Sequence, residues 1–551
     1  MAGSRCCHYS SPLPPQRHVR CSRRSVYVGP RRHFQRASDV TAERRPADLP
    51  VIRLPARTRQ FLEKQEKKQG PAVHVPRAGK LLISSRRREL NQFSGERYGR
   101  LEQPPLVSRG WRHRESYGDH FTILRQQEQR PWPETENTFH SLPLHPSLLS
   151  ALDALDMKTP TWIQQQTIPA LLAGKNVLCA SETGSGKTLA YLLPIVHSLL
   201  SQESDAASSP DPRGLILLPS MELGCQVTSV AKRLCAKLDL SVQFVGGGRG
   251  RKAIEKPFCG DPLDVLTATP GALLKALKWG KVSLSNLHYV VLDEADTLFD
   301  DTFCQLTETI LMHTQIASCA TDLQALDRKA QLAIIGATFP TGVGKVLNKI
   351  TDLGSIDIIQ SKKLHSLMPH VQQMFKKLKA SDKISELLVL LKKHLEEKPG
   401  TGMLVFCNNV TTANWLGYIL DDHSIKHFRL HGDMPVDMRP GIFEKFQKGQ
   451  FDVLVCTDMA SRGLDSLRVD MVVNYDFPST VQDYLHRAGR VGRVGSESNG
   501  SVVSFVTHNW DVELVQKIET AARKRSALLA TQSSIQNPVN SREILKEEPE
   551  M

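Results

Sequence analysis

From about residue 139 onward, short runs of apolar and β-branched residues alternate with longer stretches of helical periodicity. Buried parallel strands look like this in a sequence, because helices cover both of their faces. The first five runs are 176–180, 214–218, 264–268, 289–292 and 332–335, and the second five are 403–407, 427–430, 452–456, 471–475 and 502–506. The two series predict an α/β fold with two similar parallel-sheet domains in tandem.

A charged segment between the two series, KKLHSLMPHVQQMFKKLKA at 362–380, marks the predicted boundary between the domains. A chain of 551 residues is also too long for one hydrophobic core. We therefore predict a first domain at 126–362, a flexible linker at 363–380, a second domain at 381–525 and a polar tail at 526–551.

The net charge of +14 is concentrated at the start of the chain, where residues 1–125 contain 27 Lys and Arg against 10 Asp and Glu. Eight arginines and no acidic residue precede Asp39. An arginine-rich, acid-free composition is typical of a mitochondrial transit peptide, which we predict at 1–45. A disordered basic tail or a nuclear signal is the alternative. For 46–125 we predict a flexible, largely disordered basic extension that binds phosphates.

Composition argues against a membrane-spanning protein and against a protein built around zinc sites or disulfides. The mean hydropathy is −0.29, and no apolar run approaches the roughly 20 residues needed to span a bilayer. The 11 cysteines are scattered without zinc-site spacing, which favours reduced thiols in an intracellular compartment.

The stretch SETGSGKT at 181–188 lies between a predicted strand and a predicted helix, the context that a phosphate-binding loop requires. Glycine amides and the helix N-terminus can surround phosphates, with Lys187 reaching the β- and γ-phosphates and Thr188 holding Mg²⁺. Ser181 stands where a strict loop of this type has glycine. The predicted nucleotide-binding residues here are Ser181, Glu182, Thr183, Gly184, Ser185, Gly186, Lys187 and Thr188.

A second motif, YVVLDEAD at 289–296, places paired acids at the carboxyl end of a predicted strand, where ligands bind in parallel sheets. Asp293 can hold the Mg²⁺ shell. Glu294 can orient and deprotonate an attacking water. With the upstream phosphate loop, this pair predicts hydrolysis of a nucleoside triphosphate.

These motifs, with PTWIQ at 160–164, TDMASRGLD at 457–465 and YLHRAGRVGR at 484–493, make residues 139–510 resemble the DEAD-box RNA helicases of superfamily 2. The resemblance implies two RecA-like domains, with ATP and Mg²⁺ as cofactors. It further implies that Gln164 and Phe139 bind adenine, Asp465 binds the ribose, and Arg490 and Arg493 act as arginine fingers. His486 and Arg487 would be coupling residues, as would Gly336, Ala337 and Thr338.

The resemblance also implies RNA-backbone contacts, although several of these motifs are altered. The predicted RNA-binding residues are Pro219, Ser220, Gly246, Gly247, Thr269, Pro270, Gly271, His431, Gly432, Arg439 and Thr457. Met221 and Ala272 replace family arginines, which predicts weaker RNA binding by the core, and Val436 replaces a family glutamine. Gly336 replaces a serine; this predicts either weaker unwinding or no effect.

Two hypotheses for function follow. The first is an ATP-dependent RNA helicase, a monomer in catalysis. The second is an ATP-gated RNA clamp or assembly scaffold with little unwinding activity. The acid-free N-terminus together with GAT at 336–338 and TPGA at 269–272 looks most like a mitochondrial member of the family. That likeness implies a matrix location, contact with mitochondrial ribosomal RNA and with assembly proteins, and a role in large ribosomal subunit biogenesis. The nucleus or cytoplasm is the alternative location.

Overall fold

The computed structural model describes residues 79–99, 101–126, 137–201, 211–247, 250–260, 262–300, 302–318, 320–323, 329–337, 343–361, 364–435, 438–458, 467–493, 496 and 500–528. The predicted transit peptide lies outside the described residues, as do Thr338, Val436 and Asp465. Only the first three residues of the predicted polar tail are described.

The first described segment forms three short strands, β1 (Leu81–Ser85), β2 (Gln92–Phe93) and β3 (His120–Ile123). β1 pairs antiparallel with both β2 and β3. These strands belong to the sheet of the second domain, described below.

The first domain is a seven-stranded parallel sheet with the strand order β10-β4-β9-β8-β5-β7-β6. Its strands are β4 (Asn176–Ala180), β5 (Gly214–Leu217), β6 (Val242–Val245), β7 (Val265–Ala268), β8 (Tyr289–Leu292), β9 (Gln331–Gly336) and β10 (Ile356–Gln360). Its helices are α1 (Pro146–Ala154), α2 (Trp162–Leu172), α3 (Lys187–Ser201), α4 (Met221–Cys235), α5 (Gly250–Glu255), α6 (Pro270–Lys278), α7 (Ala295–Leu298), α8 (Cys304–Met312) and α9 (Val343–Leu347).

The second domain has a mixed sheet in which six parallel strands, in the order β13-β14-β12-β15-β16-β11, are followed by β3, β1 and β2. Its further strands are β11 (Gln372–Lys377), β12 (Gly402–Cys407), β13 (His427–Leu430), β14 (Val453–Thr457), β15 (Val469–Asn474) and β16 (Ser501–Val506). Its helices are α10 (Lys383–Glu397), α11 (Val410–Asp422), α12 (Met438–Gln447), α13 (Val481–Ala488) and α14 (Asp511–Lys524). β3 joins this sheet by antiparallel pairing with β11.

All ten apolar runs are strands, and two parallel-sheet domains are present, so the predicted fold class is confirmed. Strands in the middle of the sheets, such as β4 and β12, are buried at every position. This explains why continuous apolar runs located them.

The structure differs from the sequence prediction within the basic segment 46–125. Its described part is folded rather than flexible: β1, β2 and β3 extend the second sheet. These strands are only two to five residues long, and a long connection at 94–119 separates β2 from β3, so no periodic pattern marks them. They are strands because pairing with β11 buries Phe121 and Ile123.

The predicted linker also contains structure, since β11 lies at Gln372–Lys377 within it. Its residues alternate between half-buried and buried, and the buried positions include Gln373 and Lys377. Because some of its buried positions are polar, this strand has no continuous apolar run and was not predicted from the sequence.

Two sets of contacts hold the N-terminal strands against the second domain. The rings of Phe121 and Phe375 stack with centroids 4.8 Å apart, and Phe375 in turn lies 5.8 Å from Tyr484 of α13. The carboxylate of Glu519 in α14 accepts hydrogen bonds from the amides of Val107 and Ser108 and from the Ser108 hydroxyl, at 2.6 to 3.0 Å. The segment is therefore an integral part of the second domain.

Within the described part of the chain, no helix is long and apolar enough to cross a membrane.

Candidate nucleotide site and RNA-binding edge

The loop between β4 and α3 has the backbone shape of a phosphate-binding site. Gly184 and Gly186 have φ values of +76° and +89°, a conformation that residues with a Cβ rarely adopt. A Cβ on Gly186 would lie 2.6 Å from Nε2 of Gln164, so glycine is also required by space. The amides of this loop can therefore approach a phosphate closely.

Lys187 lies across this loop, with its Nζ donating hydrogen bonds to the carbonyls of Ser181 and Glu182, both at 2.8 Å. Burial lowers the pKa of its ammonium group. The hydroxyls of Ser181 and Ser185 are hydrogen-bonded to each other. Ser181 therefore supports the loop through its side chain, which explains why a small polar residue can replace glycine there.

Gln164 connects the start of α2 to the phosphate loop. Its Oε1 accepts a hydrogen bond from the amide of Thr161 at 2.8 Å, and its Nε2 donates to the carbonyl of Gly186 at 2.9 Å. Phe139 is 3% exposed and packs in the apolar core of the first domain. Adenine contacts for both residues remain predictions.

The paired acids follow β8 directly. The Asp293 carboxylate accepts a hydrogen bond from the hydroxyl of Tyr191 at 2.8 Å and another from the amide of Glu294 at 2.9 Å. Burial, together with the nearby charge of Glu294, raises the pKa of Asp293 to about 6. Glu294 has φ +50°, which turns the chain sharply into α7.

The second domain presents its paired arginines to this site. The guanidinium of Arg490 lies 3.9 Å from the Glu294 carboxylate. A Cβ on Gly184 would be 2.8 Å from Cγ of Arg493, and one on Gly489 would be 1.7 Å from the Thr183 hydroxyl. Motif VI, the segment that contains these arginines, is therefore in direct contact with the phosphate loop.

Arg487 links three strand ends of the second domain. Its guanidinium binds both carboxylate oxygens of Asp458 at 2.6 Å, and it also donates to the side chain of Asn408 and the carbonyl of Asp476, each at 2.7 Å. The neighbouring His486 reaches across to the first domain, where its Nε2 is 3.2 Å from the Asp296 carboxylate. Coupling by these two residues remains a prediction, as it does for Gly336 and Ala337 at the end of β9.

The residues predicted to bind RNA lie where strands end. In the first domain, residues 219–220 follow β5, residues 246–247 follow β6 and residues 269–271 follow β7; in the second, residues 431–432 follow β13 and Thr457 ends β14. Because these particular strands run parallel within their sheets, the positions after them share the carboxyl edge of each sheet. The sequence reasoning thus selected positions that the fold brings to one edge in each domain.

Arg439 has a different environment from that of an exposed RNA ligand. Its guanidinium donates to the carbonyls of Gly432 and Met434. It also lies 3.9 Å from the buried carboxylate of Glu222 in the first domain. Burial raises the pKa of Glu222. Arg439 therefore supports the loop after β13 and contacts the first domain.

Sequence reasoning missed several residues that the structure places in or beside the site. Tyr191 follows Lys187 by four residues, the spacing that puts two side chains on one helix face. Asp296 is the last acid of YVVLDEAD. Asn408 and Asp458 are the first polar residues after β12 and β14. Their place at the carboxyl ends of parallel strands, where ligands bind, could have predicted them as site residues.

A phosphate loop on one parallel sheet, faced by arginines from a second parallel sheet, defines a nucleoside triphosphatase whose active site is completed by two domains. Comparison with known proteins identifies the family. Residues 161–346 match the DEAD/DEAH box helicase family and residues 382–495 match the helicase conserved C-terminal domain. The chain belongs to the DEAD-box ATP-dependent RNA helicases; it binds RNA and hydrolyses ATP.

Individual relatives agree with this assignment. The chain is 51% identical over 505 residues to the human protein named "Probable ATP-dependent RNA helicase DDX28", covering 89% of this chain and 93% of that one. It is 32% identical over 394 residues to "ATP-dependent rRNA helicase rrp3" of Sclerotinia sclerotiorum, covering 71% and 76%. The solved structure of the DEAD-box helicase Mss116 bound to ssRNA and UDP-BeF is similar with a TM-score of 0.63 and 25% identity, covering 75% and 83%.

Proposed function

We propose that this helicase uses ATP hydrolysis in the cleft between its domains to unwind or remodel RNA during assembly of the large mitochondrial ribosomal subunit. The main support for ATP hydrolysis in this cleft is the contact between the two domains at the phosphate loop. Glu294 there faces Arg490, and Thr183 faces Gly489. Hydrolysis would require this closed arrangement, and RNA bound along the carboxyl edges of both sheets would favour it.

The residues present fit a bound Mg²⁺–nucleotide. Two glycines in left-handed conformation leave room for phosphates, and Oε2 of Glu294 is buried with no hydrogen-bond partner among the described residues. The Thr188 hydroxyl and the Asp293 carboxylate would hold Mg²⁺, partly through water. The metal would neutralise phosphate charge. Glu294 would accept the proton of the attacking water, and Arg490 and Arg493 would stabilise the charge on the transferred phosphate.

The Glu294→Gln variant tests this proposal against the clamp alternative. We expect loss of RNA-stimulated ATP hydrolysis and of duplex unwinding, with ATP and RNA binding retained. If a cell that depends on this variant still assembles ribosomes, the protein acts as an ATP-gated clamp or scaffold. The altered motifs at Met221, Ala272 and Gly336 are the features that favour that second function.

The N-terminus supports the mitochondrial part of the proposal, and one relative supports the ribosomal part. Residues 1–38 are rich in arginine and free of acids, and one relative is named as an rRNA helicase. Residues 1–45 fused to a fluorescent reporter should direct it to the mitochondrial matrix. A diffuse cytosolic or a nuclear signal would contradict the location.

The RNA target needs a separate experiment, because contacts to the backbone contain no sequence information. Crosslinking of the protein to RNA in cells, followed by sequencing of the adducts, should recover mitochondrial large-subunit ribosomal RNA. Recovery of cytoplasmic RNAs alone would overturn the proposed target while leaving the ATPase unaffected.

A further inference from the structure

An exposed aromatic pair lies in the turn between β16 and α14. Trp510 is 75% exposed, the highest exposure of any tryptophan in the described residues. Its ring stacks on His508 with the centroids 4.2 Å apart and the planes at 8°. The Asp511 carboxylate accepts a hydrogen bond from the amide of His508 at 3.0 Å and so fixes the turn. One face of a rigid two-ring stack is thus held towards solvent.

This turn lies on the edge of the sheet that carries the RNA-binding motifs. β16 is parallel to β15, which is parallel to β12, which is parallel to β14. The residues that follow β16 therefore emerge on the same edge as Asn408 and Thr457. Three strand spacings separate β16 from β14, a distance of about 14 Å. A single strand of RNA bound at Thr457 needs only a few more nucleotides to reach Trp510.

The N-terminal segment places cations at this edge. The amide of Gly118 donates to the carbonyl of Lys377 at 2.8 Å, so the segment before β3 lies beside the end of β11. The Nζ of Lys379 is 5.9 Å from the centre of the Tyr117 ring. Arg112 and Arg114, also in this segment, are both exposed.

The segment that contains Arg112 packs on α14, where Nε2 of Gln516 donates a hydrogen bond to the carbonyl of Ser108 at 3.2 Å. The pKa of Glu513 is lowered first by its hydrogen bond to Lys517 and then by the positive charges of Lys517 and Arg112. Glu115 and Asp382 are also exposed in this region. This part of the carboxyl edge therefore has both basic and acidic residues. The exposed ring of Trp510 is a more specific feature of the surface than its charge.

Sites for single-stranded RNA combine aromatic faces, on which bases stack, with basic side chains that bind phosphates. We propose that the exposed face of Trp510, supported by His508, is a stacking subsite for an unpaired RNA base, with Arg112 and Arg114 on the adjoining phosphates. The subsite extends the RNA path from the core motifs towards the N-terminal strands. This inference rests on the proposed RNA path along the carboxyl edge of the second domain.

The test compares two RNAs that differ in length. Fluorescence anisotropy measures binding of the full chain to single strands of about 6 and about 20 nucleotides, because a strand confined to the core cannot reach the turn. Trp510→Ala should weaken binding of the longer RNA about 5- to 100-fold, the range for losing one stacked base, and leave the shorter RNA unaffected. Trp510→Phe should restore most of the affinity.

Trp415→Ala is the matched control. Trp415 is also exposed, at 46%, but lies in the second turn of α11 rather than at the strand ends. Its variant should bind both RNAs like the parent. The double variant Arg112→Ala and Arg114→Ala should reduce the salt dependence of binding to the longer RNA by about two phosphate contacts. Thermal unfolding checks that each variant is folded.

The outcomes separate this proposal from the helicase function. If Trp510→Ala binds the longer RNA like the parent, the subsite is overturned, and the exposed ring is then available to a protein partner. An equal loss of RNA affinity in Trp415→Ala would also overturn the subsite, because the effect would then not depend on a position at the carboxyl edge of the sheet. If the parent itself shows no RNA-stimulated ATP hydrolysis, the proposed function fails independently of Trp510.

Discussion

At the residue scale, Phe244 explains why the motif at 219–224 departs from the family pattern. Its ring on β6 fills the space in front of α4, where a Cβ on Gly224 would lie 2.2 Å from Cε2 of Phe244. A Cβ on Gly246 would lie 2.7 Å from the same ring and 2.9 Å from Cγ of Met221. Met221, Gly224 and Gly246 thus form one packing unit around Phe244, and the missing arginine at 221 belongs to that unit.

Gly224→Ala should therefore destabilise the first domain. Overpacking costs about 1–3 kcal/mol, and the better helix propensity of alanine offsets about 1 kcal/mol of this. The free energy of unfolding should therefore fall by up to about 2 kcal/mol. Urea unfolding measures it. Gly271→Ala is the control, since a Cβ there would meet nothing within 4 Å. Combining Gly224→Ala with Phe244→Leu should recover the loss; no recovery would mean that the ring is not the cause.

Tyr191 determines how Asp293 is held. Its hydroxyl is the side-chain donor to this carboxylate, and removing a hydrogen bond to a charged group costs about 1.5–3 kcal/mol. In Tyr191→Phe we expect the Mg²⁺ concentration that half-saturates binding of a fluorescent ADP to rise about 10- to 150-fold, with Mg²⁺-free binding unchanged. Tyr289→Phe, at the opposite end of β8, should behave like the parent. An unchanged Mg²⁺ titration in Tyr191→Phe would show that Asp293 is positioned without the hydroxyl.

At the scale of elements, a buried ion pair contributes to the attachment of the N-terminal strands, beside the stacked rings of Phe121 and Phe375. Glu519 and Arg523 are both fully buried in α14 and lie 2.8 Å apart, and Glu519 also accepts the three hydrogen bonds from Val107 and Ser108. A carboxylate can be buried there because each of these groups compensates for lost water. The pair therefore joins α14 to a segment more than 400 residues away in the sequence.

Glu519→Ala should destabilise the second domain by about 3–5 kcal/mol, because it leaves the buried charge of Arg523 without a carboxylate partner. Thermal unfolding and limited proteolysis within residues 79–126 measure the effect. Glu513→Ala on the same helix removes an exposed i,i+4 pair with Lys517 and should cost at most about 0.5 kcal/mol. Equal effects from the two variants would contradict a specific role for the buried pair.

At the scale of the whole molecule, the described residues show the two domains in contact at the phosphate loop. Gly489 follows α13 and lies against Thr183, where a Cβ would overlap the Thr183 hydroxyl and lie 2.9 Å from the Thr183 Cβ. The arginines of motif VI depend on this close approach, since they act on phosphates bound by the other domain.

Gly489→Ala should lower RNA-stimulated ATP hydrolysis about 100-fold or more, because a displaced arginine finger loses a rate effect of about 10³–10⁵. Nucleotide binding by the first domain should stay within about twofold of the parent, since Gly489 lies in the other domain. Gly441→Ala is the matched control, because a Cβ there meets nothing within 4 Å. Parent-like hydrolysis in Gly489→Ala would show that closure tolerates a methyl group at this contact.

Features that depend only on neighbouring residues could be predicted before the fold was known. Buried parallel strands need continuous apolar runs, and a phosphate loop needs glycines directly before a helix, so ten strands and the residues from Ser181 to Thr188 could be predicted from adjacent letters. Asp293 and Glu294 were found for the same reason, since they end an apolar run.

Contacts between residues that are distant in the sequence became known only from the folded structure. β3 is a strand because β11 offers it an edge, Glu519 can be buried because Ser108 and Arg523 surround it, and Arg487 joins Asn408 to Asp458 across three strands. Trp510 likewise shares an edge with Thr457 only because β16 and β14 belong to one parallel sheet. These contacts depend on the order of the strands in the sheet. Strand pairing and burial over the whole chain determine that order, so no short stretch of sequence contains it.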